Sequence, residues 1–253
     1  MRMTPTKKNN ILVRGFQVAA VSVAILAAHP SSAAIIGGQT TVGRITLSGE
    51  ILDSTTGNVT VLDPPPSLIE EDGFESLNVL AFNEKQSHIL SQDIIAYEEF
   101  FGSEGPIGEV IIPAETRLSS HFVFVDPPEP QTAGPRRYVW SGQITFDEEI
   151  KGIIGRGFSQ TDKLLGLEDT SYRMGGGNGL DQRTAENFRD VVSFNKNILS
   201  FRITAVPYGM DSVRVITGKN STPPAPEPLT ILGSGVALGF GVLFQKMKRD
   251  QGN

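Results

Sequence analysis

Short segments in which apolar and polar residues alternate constrain the fold of this chain more than any other feature. In RYVWSGQITF (137–146), Trp140, Ile144 and Phe146 share one face of an extended strand, because successive side chains of a strand point to opposite sides. The same alternation occurs in RITLSGEIL (44–52), HFVFVD (121–126), LSFRITAV (199–206) and SVRVIT (212–217). The pattern predicts half-buried antiparallel strands.

Weaker patterns supply the remaining elements of the central region. Further strands are expected at 58–62, 77–83, 89–95, 109–112 and 190–194, and short helical turns at 160–165 and 183–188. Gly, Pro, Asn and Asp separate these segments, as turn residues do. About ten short strands joined by turns predict an all-β protein. We therefore expect residues 35–219 to form a single antiparallel β-sandwich or jelly-roll-like domain.

The first 34 residues have the three parts of a secretory signal peptide. Basic residues up to Arg14 precede an apolar run from Val18 to Ala28, and small residues stand at Ser32 and Ala34. We therefore expect a signal peptidase to cleave after Ala34. An uncleaved membrane anchor is the alternative, but the run is shorter than the roughly 20 residues that span a bilayer.

The other end of the chain has the features of a marginal membrane anchor. Residues 229–244 carry no charge and predict a transmembrane helix of about 24 Å, somewhat shorter than a hydrocarbon core of about 30 Å. A Pro-rich linker, 220–228, precedes this helix and is expected to be extended. The tail 245–253 that follows holds three basic residues, Lys246, Lys248 and Arg249. Positive residues there predict a cytoplasmic C-terminus, with the central domain on the outer side.

One motif lies directly before the apolar segment. Pro226-Glu227-Pro228, the Gly-rich apolar stretch and the basic end together resemble the PEP-CTERM sorting signal. The resemblance implies that an exosortase removes the tail in the membrane. It also implies export to the cell surface or extracellular matrix of a Gram-negative-type bacterium that makes exopolysaccharide. An ordinary single-pass anchor behind a Pro-rich stalk is the alternative.

The central region carries a looser likeness. It resembles a group of uncharacterised exported proteins that bear the same tail, through the segments AFNEKQ (81–86), SSHFVFVDP (119–127), GQITFDEEIKGII (142–154) and MDSVRVIT (210–217). That likeness supports one domain and implies no chemistry.

Composition excludes several classes of protein. The chain has no cysteine, which rules out disulfides, Cys-ligated zinc and thiol nucleophiles. Its formal net charge is -6, and the central region is acidic while both ends are basic. Nucleic acid is not an expected partner, because its binding depends on clustered Lys and Arg.

A search for catalytic groups leaves few candidates. His29 leaves with the signal peptide, so only His88 and His121 remain, and no G-x-S-x-G elbow occurs in the central region. Both are expected to be structural or surface residues. Adjacent carboxylates predict an acidic surface rather than the opposed pair that a glycosidase needs; they occur at Glu70-Glu71-Asp72, Glu98-Glu99, Asp147-Glu148-Glu149 and Glu168-Asp169.

A glycine-rich stretch matches part of a calcium motif. Residues 176–181 fit the first six positions of the G-G-x-G-x-D nonapeptide. Arg183 stands where the next apolar residue belongs, and there is no second copy for the first to stack on. We expect a flexible loop here, with no metal or cofactor.

The sequence thus predicts a non-enzymatic exported protein of the cell surface or matrix, handled by signal peptidase and exosortase and associated with exopolysaccharide. A carbohydrate-binding module or glycan hydrolase on a jelly roll is the alternative. Tyr97, Phe100, Phe101 and Trp140 are the aromatic residues that would serve a glycan-binding face.

Overall fold

The computed structural model describes residues 33–46, 48–129, 137–173, 179–181, 188–207 and 209–219. These residues form fourteen strands, one α-helix and one 3-10 turn. The strands are β1 Ile35–Ile45, β2 Ile51–Val61, β3 Leu68–Glu70, β4 Val79–Asn83, β5 His88–Ile89, β6 Ile94–Phe101, β7 Gly105–Ile112, β8 Arg117–Val125, β9 Arg137–Phe146, β10 Glu149–Ile154, β11 Ser171–Arg173, β12 Val191–Asn195, β13 Ile198–Ala205 and β14 Asp211–Gly218. The helix α1 spans Phe158–Leu165, and the 3-10 turn spans Gly102–Glu104.

Twelve of the strands belong to one large sheet. Eleven follow one another in the order β10-β14-β8-β4-β2-β1-β9-β13-β12-β6-β7, and β5 pairs with β8. Ile153 of β10 also pairs with Tyr97 of β6. This bridge closes the path into a ring, and β7, which pairs with β6, is not part of it.

The predicted all-β class is confirmed, with a difference in strand direction. Most pairings are antiparallel, but β2 pairs with β4 in parallel, and β3 with β11 likewise. The helical turn predicted at 160–165 is present as α1, whose buried residues Phe158 and Leu165 stand seven positions apart on one helical face. Most of the second predicted turn, 183–188, lies outside the described residues.

The strand predicted over 44–52 is wrong, because the chain reverses direction there. Thr46 accepts a hydrogen bond from the backbone N–H of Gly49 and donates one to the carbonyl of Glu50. Gly49 has φ 84, a left-handed conformation that glycine adopts without strain. The alternating pattern therefore runs through a hairpin turn, and its two halves end β1 and begin β2.

Two apolar clusters lie on opposite faces of the sheet. On β8, Val123 and Val125 join a cluster that includes Trp140 of β9. Phe122 and Phe124 point the other way, into a second cluster that also contains Phe158 and Leu165 of α1. The alternation in HFVFVD thus serves two cores, so both of its faces are buried.

Within the described ranges, no helix has the length and apolar character needed to cross a membrane. The predicted transmembrane helix 229–244 and the tail 245–253 lie outside those ranges, as do the linker 220–228 and nearly all of the signal peptide.

Candidate functional site

The predicted processing residues fall almost entirely outside the described part of the chain. This applies to the sorting-signal residues Pro226, Glu227, Pro228, Lys246, Lys248 and Arg249. The exception is Ala34, which lies immediately before β1. Its backbone N–H donates to Asp147 Oδ1 at 2.7 Å, and its carbonyl accepts from the Asp147 N–H at 3.1 Å.

His121 is a buried residue of β8 with both ring nitrogens engaged. Nδ1 lies 2.8 Å from Asn83 Oδ1 and Nε2 lies 2.9 Å from Thr217 Oγ1, and the ring packs on Phe146. Burial lowers the pKa of His121 to about 3, so the imidazole is neutral at ordinary pH. It is therefore a core residue without a hydrogen bond to a carboxylate.

His88 is half-buried in β5, where it stands opposite Leu118. Its partial burial lowers its pKa, and the nearby charge of Lys85 lowers it further.

The most concentrated group of polar side chains lies beneath α1. Arg214, on β14, is fully buried; its Nε lies 2.7 Å from Glu84 Oε2 and its Nη2 2.8 Å from Glu84 Oε1. Nη2 also donates to Asp162 Oδ1 of α1 at 2.9 Å. The Tyr172 hydroxyl donates to Glu84 Oε1 at 2.5 Å. We call Glu84, Asp162, Tyr172 and Arg214 the buried ionic cluster.

The electrostatics of this cluster favour a structural role. Burial works against the charge of Arg214, but Glu84 and Asp162 outweigh it and raise its pKa. Burial and the charge of Glu84 raise the pKa of Tyr172 as well. Both Glu84 oxygens are thus held by charged or hydroxyl donors. The cluster fixes α1 to the sheet.

A shallow cavity of about 420 Å³ adjoins the cluster. It is lined by Asp162, Lys163, Gly166, Leu167, Glu168, Thr170 and Tyr172. Two hydroxyl groups at its edge already have partners: the Thr170 hydroxyl donates to the Pro66 carbonyl, and the Tyr172 hydroxyl donates to Glu84.

A second group combines three carboxylates that sequence analysis did not connect. Asp181, Asp190 and Asp211 have ligand atoms that all lie within 4.8 Å of one another. Oxygen-only sets of this kind suit Ca²⁺ or Mg²⁺. Asp190 also accepts backbone N–H groups, from Asp181 at 2.5 Å on Oδ2 and from Thr204 at 2.8 Å on Oδ1. These are the residues of the described chain best placed to hold a metal.

The glycine-rich motif of the sequence supplies one member of this group, Asp181. The other two come from elsewhere in the chain, so the motif as a nonapeptide is not what assembles the carboxylates. Residues 176–178 of the motif lie outside the described ranges.

A groove of about 370 Å³ runs beside β1 and β2. At its edge Arg44 forms a short ion pair with Asp53, and both side chains are partly exposed. The Asp53 carboxylate accepts from the Arg44 backbone N–H and Nε as well, so the two residues chiefly bind each other.

The aromatic residues proposed for glycan binding divide between core and surface. Trp140 is fully buried and donates through Nε1 to the Leu77 carbonyl at 2.9 Å. Phe100 is also buried. Tyr97 and Phe101 are half-buried on β6, where the Arg189 guanidinium lies 5.3 Å from the Phe101 ring centre. Only these two of the four are partly exposed.

None of the adjacent carboxylates identified in the sequence is buried, as expected for an acidic surface.

Comparison of the chain with protein-family models, with curated protein sequences and with solved structures found no match.

Proposed function

We propose that this protein is an exported, non-enzymatic component of the cell surface or extracellular matrix, delivered as a β domain between two removable ends. A leader is cleaved close to Ala34, and an exosortase removes the tail that follows Pro226-Glu227-Pro228. The central domain, a single sandwich-like unit in this proposal, then associates with exopolysaccharide.

The observation that carries the proposal is where the strands begin and end. The first strand starts at Ile35, one residue after the predicted signal-peptide cleavage, and the last ends at Gly218, just before the Pro-rich linker. Every strand pairing between described residues lies within 35–218, so losing both ends leaves all of these pairings in place. That arrangement supports removal of leader and tail from one folded domain.

The chemistry of the described residues is consistent with a binding or scaffolding role. The two most concentrated polar groups, the buried ionic cluster and the Asp190 carboxylate, engage neighbouring protein groups. Of the four aromatic residues named from the sequence, Tyr97 and Phe101 are partly exposed and are the two that a glycan can reach.

Mass spectrometry of the protein from a bacterial host with an exosortase tests the proposal. We expect the secreted form to lack every peptide beyond Phe244, and the Glu227→Ala variant to remain in the membrane fraction with its tail intact. Ser221→Ala, in the same linker, is the control and should be processed normally. Peptides from beyond Phe244 on the secreted form, or a cytosolic chain with both ends, would refute the proposal.

A further inference from the structure

Three successive acidic residues, 147–149, span the turn after β9 and the first position of β10, and the first of them has no cationic partner among the described residues. Glu148 Oε1 lies 4.0 Å from Lys219 Nζ, and Glu149 Oε2 lies 2.9 Å from Lys151 Nζ. The Asp147 carboxylate instead accepts the backbone N–H of Ala34 at 2.7 Å. No Lys or Arg of the described chain forms an ion pair with it.

Ala34 is held by Asp147 at both of its backbone groups. Besides the bond to the carboxylate, its carbonyl accepts the Asp147 N–H at 3.1 Å. The next residue, Ile35, begins β1 and joins the core. The two Ala34–Asp147 hydrogen bonds therefore lie directly N-terminal to the β1–β9 pairing, which begins at Ile35. Cleavage after Ala34 would remove both bonds, whereas cleavage one bond earlier would keep both.

The sequence is compatible with signal-peptidase cleavage of the earlier peptide bond, between Ala33 and Ala34. Ser31 and Ala33 stand three residues and one residue before it, and both are small, as a signal peptidase requires. Hydrolysis of the Ala33–Ala34 peptide adds the hydroxyl of water to the Ala33 carbonyl carbon and a proton to the Ala34 nitrogen. That amine takes up a further proton from solvent at neutral pH. The ammonium forms where the nitrogen already lies 2.7 Å from Asp147 Oδ1.

We propose that the mature protein begins at Ala34 and that Asp147 is the counter-ion of its α-ammonium group. The inference rests on the proposed export and leader removal, and it moves the cleaved bond one residue from the position that the sequence favours. Its cost is the loss of Ala33, which is buried but contributes a single methyl group. Its gain is that a hydrogen bond with a charged acceptor acquires a charged donor as well and becomes an ion pair, at an acid with which no Lys or Arg of the described chain pairs.

The first test is the N-terminal residue of the exported protein, read by mass spectrometry after expression of the full chain in an exporting bacterial host. We expect Ala34. A mature chain that begins at Ile35, or at any leader residue other than Ala34 and Met1, overturns this inference and leaves the proposed export standing. A chain that still begins at Met1 refutes the proposed export itself.

The second test measures how fast an amine-reactive reagent labels the mature N-terminus at pH 7 and low salt. We expect labelling about threefold faster in Asp147→Asn than in the unmodified protein, because an exposed carboxylate stabilises the ammonium form modestly. Glu148→Gln, which removes the neighbouring acid that faces Lys219, is the matched control and should label at the unmodified rate. The difference should shrink at high salt, since exposed charges are screened.

Equal labelling rates in the Asp147→Asn variant and the unmodified protein would overturn the counter-ion role. Should Asp147→Asn fail to fold, the unmodified protein decides the matter through the pH dependence of its own labelling. A pKa of the terminal amine above about 8 supports the ion pair, and a value in the ordinary range of about 7.7–8.0 overturns it.

Discussion

Removing the carboxylate of Glu84 is expected to destabilise the fold strongly. Glu84→Gln keeps the size of the side chain but leaves the Arg214 guanidinium without its closest counter-charge. Both side chains are 0% exposed, and the two Arg–Glu contacts measure 2.7 and 2.8 Å. Water therefore cannot replace the lost partner.

The magnitude follows from what remains around Arg214. Breaking a buried ion pair by removing one partner costs about 3–5 kcal/mol. Asp162 still contacts Arg214 at 2.9 Å in the variant, and its side chain is 23% exposed, so we expect the lower end, about 3 kcal/mol. Arg214→Met leaves two carboxylates without a cation and should cost about 5 kcal/mol.

Urea unfolding followed by fluorescence measures these losses. The chain has one tryptophan, Trp140, and it is fully buried, so its emission reports on the core. The matched control is Glu149→Gln, which breaks the partly exposed pair with Lys151 and should cost less than about 1 kcal/mol. The double variant Glu84→Gln/Arg214→Met should cost less than the sum of its single variants.

A Glu84→Gln loss below about 1 kcal/mol, or one equal to that of the Glu149→Gln control, would refute the assignment of the buried ionic cluster as the anchor of α1.

Three further outcomes are expected. Burial lowers the pKa of His121 to about 3 in the folded protein, whereas the same side chain binds a proton near pH 6.5 in the unfolded chain. The contribution of His121 to the free energy of unfolding is therefore fully present above pH 6.5. It should fall by about 1.4 kcal/mol per pH unit toward pH 3; urea midpoints should show this slope, and His121→Gln should flatten it. Gly142→Ala should lower the melting temperature, since its Cβ would lie 2.3 Å from a backbone oxygen of β1, whereas Gly218→Ala, with 3.4 Å of space, should be tolerated. Asp190→Asn should lower the free energy of unfolding by about 1–3 kcal/mol. It should also speed hydrogen exchange at the Thr204 amide, which donates a hydrogen bond to the Asp190 carboxylate; unchanged exchange would contradict this.

Local alternation predicts strands well where one turn residue ends each run. The strand predicted over 137–146 is β9 to the residue, because Trp140, Ile144 and Phe146 alternate onto one face and join one core. The same rule fails over 44–52, where Gly49 reverses the chain without interrupting the alternation. The alternation rule also fails to predict the first part of β1, because Gly37, Gly38 and the polar residues that follow give no apolar face there.

The candidate sites depend on contacts that no local pattern contains. Alternation places Arg214 on the face of β14 opposite Val213 and Val215, and would leave it to solvent. It is buried because α1 and Tyr172 cover that face, and Glu84 comes from a segment 130 residues away. The three carboxylates of Asp181, Asp190 and Asp211 likewise come from separate segments. Only Asp181 carried a signal in the sequence, through the glycine-rich motif.

The order of the strands in the sheet also determines when the domain is able to fold. The last strand, β14, sits between β10 and β8, and the first, β1, pairs with β9 about a hundred residues later in the chain. A growing chain therefore reaches its end with its ring still open, and such long-range pairing is slow. During that interval the apolar strands stay accessible to chaperones.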